Sequence, residues 1–72
     1  MDSKVLGRSI VIERRYADKA YELIDFFVSR GYATVVDELY YGKYAEFVIG
    51  DCDEGTFRGI ISDIMVEDIE LY

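Results

Sequence analysis

Val66-Glu67-Asp68-Ile69-Glu70-Leu71-Tyr72 (VEDIELY) decides the fold of this chain. Two periods compete in it. Ile69 and Leu71 alternate with Asp68, Glu70 and Tyr72, which is the period of two that a half-buried strand requires. The same residues can also prolong the helical stripe before them. Period two fits Ile69 and Leu71 better, so Val66 to Tyr72 is expected to be a fourth, edge strand whose charges discourage further pairing. A helix running on to Tyr72 is the competing outcome.

Upstream of that stretch the period is helical. Phe57, Ile60, Ile61, Ile64 and Met65 fall at i, i+3, i+4, i+7 and i+8, one apolar face of a helix. Asp53 is positioned to cap it, and the acids before Thr56 suit the positive end of the helix dipole. Further back, Tyr44 to Gly50 (YAEFVIG) alternates, with Ala45, Phe47 and Ile49 on one face and Tyr44, Glu46 and Val48 on the other. Tyr32 to Tyr40 (YATVVDELY) reads as another strand. Tyr41-Gly42-Lys43 between the two is short enough for an antiparallel hairpin, with Gly42 supplying a positive φ.

Ala17 to Arg30 carries Ala17, Ala20, Leu23, Ile24, Phe27 and Val28 at three-four spacing. Arg30 and Gly31 supply the C-terminal signals of a helix there. Val5 to Glu13 (VLGRSIVIE) is rich in β-branched residues and alternates, with Leu6, Ile10 and Ile12 on one face and Val5, Ser9 and Val11 on the other.

The expected order is thus β-α-β-β-α-β, the split-βαβ pattern. It predicts an α+β, ferredoxin-like two-layer sandwich: a four-stranded antiparallel sheet with two helices on one face and strands one and three central. The resemblance is to an architecture and not to a family, and such a fold hosts many unrelated functions. The predicted core joins Leu6, Ile10, Ile12, Phe47, Ile49, Ile69 and Leu71 of the sheet to Ile24, Phe27, Ile60 and Ile64 of the helices.

Composition narrows the function. The chain has 72 residues, room for a single domain over 1–72, with 15 acids against 8 bases and a net charge of -7. Phosphate backbones are bound by basic stripes, so nucleic acid is not an expected partner. An anionic membrane is disfavoured on the same ground, and no apolar run approaches the ~18 residues of a span. No signal-peptide pattern is read at Met-Asp-Ser-Lys, and the single Cys52 forms no internal disulfide, so a reducing cytoplasm is the expected compartment. Histidine, asparagine and glutamine are all absent. That removes imidazole bases, His-ligated zinc and common oxyanion donors, so the chain is not expected to be an enzyme.

Two groups of residues are candidates for a site. The sheet face opposite the helices would display Val5, Val11, Tyr32, Val36, Tyr40, Tyr44 and Val48, with Ser9, Thr34 and Glu46 among them. Tyrosine and valine are favoured in strands whatever they touch, but a contiguous apolar patch of this kind also marks an interface. The second group is Asp51, Asp53 and Glu54, whose oxygens could wrap a calcium-like cation. That match departs from a full calcium loop, since Gly55 and Ser62 stand at its fifth and twelfth positions, and a capped strand-to-helix turn explains the same acids. Arg14-Arg15 could hold an anion, though pairing with nearby carboxylates accounts for them as well. Cys52 sits among Asp51, Asp53 and Glu54, whose charges oppose a reactive thiolate.

The expected function is a small acidic binding module without a cofactor. It would form a homodimer or other homo-oligomer, or dock on a protein partner, and its acidic surface would direct it toward basic partner surfaces. The alternative is a regulatory domain for a small ligand or divalent cation.

Overall fold

The computed structural model describes residues 7–72. Its elements are strand β1 (Arg8–Glu13), a 3-10 turn (Arg14–Tyr16), helix α1 (Ala17–Val28), strands β2 (Thr34–Tyr41) and β3 (Tyr44–Gly50), and helix α2 (Glu54–Val66). The sheet is antiparallel, in the order β1-β3-β2. No helix among the described residues is long and apolar enough to cross a membrane.

The four-stranded, ferredoxin-like expectation is therefore corrected: among the described residues the sheet has three strands, with β3 in the centre. The reason lies in VEDIELY. Val66 is the last residue of α2. The Asp68 amide then donates to the Met65 carbonyl at 3.0 Å and the Ile69 amide to the Ile64 carbonyl at 3.4 Å, while Asp68 takes a φ of 62°. That is a Schellman stop, and it spends Glu67 and Asp68 on ending the helix. The extended remainder, Ile69 to Tyr72, reaches β1 through one backbone bond, from the Tyr72 amide to the Val11 carbonyl at 2.9 Å. Prolonging an antiparallel ladder from that contact would set Glu70 opposite Glu13, and like charges facing each other oppose pairing. The alternation was nonetheless informative, since Ile69 is buried and Leu71 packs on the core.

Helix α1 ends by the same device. Gly31 takes a φ of 79°, the Tyr32 amide donates to the Phe27 carbonyl and the Gly31 amide to the Val28 carbonyl, both at 3.0 Å. Glycine adopts this conformation without penalty, whereas aspartate is strained in it. Asp68→Gly is therefore expected to raise stability by about 0.5–1 kcal/mol, and Asp68→Val to lower it; urea unfolding of the two variants measures both.

One core joins the layers. Ile10 and Ile12 of β1 and Ala45, Phe47 and Ile49 of β3 meet Ala17, Ala20 and Ile24 of α1 and Ile60 and Ile64 of α2. All the sheet residues in that cluster lie on one side, so both helices cover the same face. The predicted core residues that the structure describes are found, with Phe27 and Leu71 only partly buried; Leu6 lies outside the described residues. The hairpin turns at Gly42, whose φ is 62°.

Candidate functional site

The open face of the sheet is set by the pairing. Tyr44, Glu46 and Val48 of β3 point away from the helices. Val11 lies opposite Glu46, Ser9 opposite Val48 and Glu13 opposite Tyr44. On β2 the register shifts between Val35 and Asp37, a bulge that places Val36 as the extra residue. Val36 leans over Gly50 on the open face: a Cβ at Gly50 would lie 2.6 Å from Val36 Cγ2.

The bulge reverses the expected facing of the rest of β2. Leu39 pairs with Glu46 and Tyr41 with Tyr44, so both belong to the open face. Tyr40 pairs with Ala45, which is buried, so Tyr40 lies on the helix side beside Ala17, Asp18 and Tyr21. That corrects its expected place on the open face. Tyr32 is exposed in the turn before β2, outside the sheet. Val11, Val36, Tyr44 and Val48 are brought together as the alternation predicts, and Val5 lies outside the described residues. Leu39 was missed because a single extra residue leaves no mark on a period of two, and Tyr41 because it was read as part of the hairpin turn, whereas β2 runs to it.

Tyr72 completes the face from the chain's last extended segment. Its ring meets that of Tyr44 edge-on, with centroids 5.3 Å apart. Partial desolvation against the sheet, then the charge of Glu70, pushes the Tyr72 phenol upward. Val36, Leu39, Tyr41 and Tyr72 are all more than 40% exposed, an apolar surface that the chain's own helices leave uncovered.

A carboxylate stands in the middle of it. The Tyr41 hydroxyl donates to Glu46 Oε1 at 2.7 Å. The Ser9 hydroxyl, and next the Tyr41 hydroxyl, hold the Glu46 carboxyl below the ordinary carboxylate range. In return, the bond to Glu46 raises the Tyr41 phenol. The pair is thus a neutral hydroxyl aimed at an ionised acid, flanked by valine, leucine and tyrosine.

Asp51, Asp53 and Glu54 are placed otherwise. Asp53 caps α2, its Oδ1 accepting from the Thr56 amide at 2.7 Å, and that bond lowers its carboxyl. Glu54 pairs with Arg58 at 3.1 Å and with Arg8 at 3.6 Å. Asp51 is an exposed residue at a φ of 49°. Among the described residues no three such side chains come together as a metal-binding group. Cys52 is partly buried, and burial followed by the Asp53 charge pushes its thiol up, away from the thiolate form that reacts.

Comparison with family models, with curated proteins and with solved structures finds no match. The surface itself carries the functional reading.

Proposed function

We propose that the chain is a non-catalytic binding module that docks on a basic protein surface through the open face of its sheet. The supporting observation is Glu46: a carboxylate accepting from the Tyr41 hydroxyl at 2.7 Å within an exposed Val/Leu/Tyr face. An approaching arginine would meet that carboxylate while its flat guanidinium lay along tyrosine rings. Apolar area around such an anchor supplies the rest of the contact.

The charge chooses between occupants. A second copy laid on the face would carry its own Glu46 and the same net charge of -7, and like charges brought together at an interface suppress pairing. A basic partner gains from the same charges, both in contact and in the rate of encounter. The isolated chain is accordingly expected to be monomeric on dilution.

Immobilised chain and native extract provide the test. Wild type should retain a set of proteins that elutes with salt. Glu46→Arg should lose that set, whereas Glu22→Arg on the exposed side of α1 should keep it. Equal retention by Glu46→Arg, or a dimer built through the face, contradicts the proposal.

A further inference from the structure

Among the described residues, Arg8 and Arg58 both pair with Glu54, and Lys19 pairs with Glu22. Three other bases gather in one place. Arg14, Arg15 and Lys43 line an open cleft of about 620 Å³ together with Glu13. The turn after β1 and the β2–β3 hairpin meet there, tied by the Arg14 amide donating to the Lys43 carbonyl at 2.7 Å.

The three cations keep most of their donors. Arg14 lies over the Tyr40 ring at 5.1 Å and gives one nitrogen, Nη1, to the Gly42 carbonyl at 3.4 Å. Arg15 gives its Nε to Glu13 at 2.6 Å, which anchors the side chain. Among the described residues, no carboxylate pairs with Arg14 or Lys43. A guanidinium has five N–H donors and an ammonium three, so two forks and a point charge face one cleft with a single carboxylate between them.

We propose that this cleft binds a small phosphate group. A phosphate offers several acceptor oxygens and nearly two negative charges near neutral pH, which suits two guanidinium forks plus an ammonium; one carboxylate would occupy a single fork. The surrounding net charge of -7 repels extended polyanions, so the ligand is a small molecule. The site adjoins the open sheet face at Glu13, which lies opposite Tyr44, while its three cations lie beyond the strands, in the turn after β1 and in the hairpin turn.

The ligand chemistry is shared by free phosphate and by phosphate monoesters, so the test has two arms. The chain, isotopically labelled, is titrated with inorganic phosphate and with phenyl phosphate, at fixed ionic strength kept with chloride. Saturable amide shifts confined to residues 13–16 and 42–44 are expected in at least one arm, and the tighter arm names the source. Lys43→Ala, in an exposed hairpin turn, should weaken the saturation about tenfold, the loss of one charge-assisted contact. Arg15→Gln should weaken it similarly with an unchanged fold. Shifts that stay linear in both arms, or saturation that Lys43→Ala leaves unaltered, overturn the proposal.

Discussion

Phe47→Ala is expected to remove about 3–5 kcal/mol of stability, the usual cost of deleting a buried aromatic ring. Phe47 is 0% exposed and sits on the central strand, between the partners that pair with β3 on either side. Its ring lies 6.2 Å from that of Tyr21 on α1, and isoleucines from both helices belong to the same core. Little in so small a core can collapse into the vacancy. At about 0.05–0.15 kcal/mol per residue a chain of this size is stable by about 4–11 kcal/mol, so the loss takes about a quarter of the whole or more. Urea unfolding followed by circular dichroism should show the midpoint falling by a large fraction. Val48→Ala, one residue along on the opposite face of the same strand, should cost about 1 kcal/mol or less. Equal effects at the two positions would mean that the face assignment of β3 is wrong.

Ile69→Asp is the second large effect. Ile69 is 3% exposed and follows directly on the turn that ends α2. A carboxylate cannot stay there unpaired, so the segment from Ile69 onward should leave the core, with a loss of about 2–5 kcal/mol. Departure is easier than for a strand, because one backbone bond, Tyr72 to Val11, ties the segment to β1. Amide exchange at Tyr72 and loss of the contact between the Tyr44 and Tyr72 rings report the release. Ile69→Val, which keeps the shape and apolar character, should cost less than about 1.5 kcal/mol. Unchanged exchange in the aspartate variant would show that the segment contributes nothing to the core.

The same segment shows what the residues disclosed and what they concealed. Two helices ending in one geometry were signalled unequally. Gly31 announces the end of α1 because glycine is the usual residue at positive φ. Asp68 does the same work at the end of α2 without a residue type that advertises it. The apolar alternation of Ile69 and Leu71 correctly gave their burial, since inward facing depends on packing and not on a ladder. Whether a ladder forms depends on Glu70 and Glu13, which are far apart in the chain and meet only in the folded sheet. At β2, the residues before the bulge face as the alternation predicts and those after it are reversed, so Tyr40 moves to the helix side, and Tyr41, read as part of the turn, extends the strand on the open face. The central carboxylate was visible as an outward residue of β3. Ser9 was legible on the same face, but the partner that bonds Glu46, Tyr41, was not, because it was read as part of the hairpin turn. Lys43 likewise joins Arg14 and Arg15 only after the hairpin has folded back.

A photo-reactive phenylalanine analogue placed at Leu39, compared with the same analogue at Phe26 on α1, tests most directly whether the uncovered side of the sheet receives a partner. Both positions are exposed, 41% and 51%, so reactivity toward solvent is matched. Irradiation in native extract is expected to give protein adducts from Leu39 that disappear when Glu46→Arg is added, with none of those adducts from Phe26. Identical adducts from both positions, or adducts at Leu39 that survive the charge reversal, would contradict docking on this face.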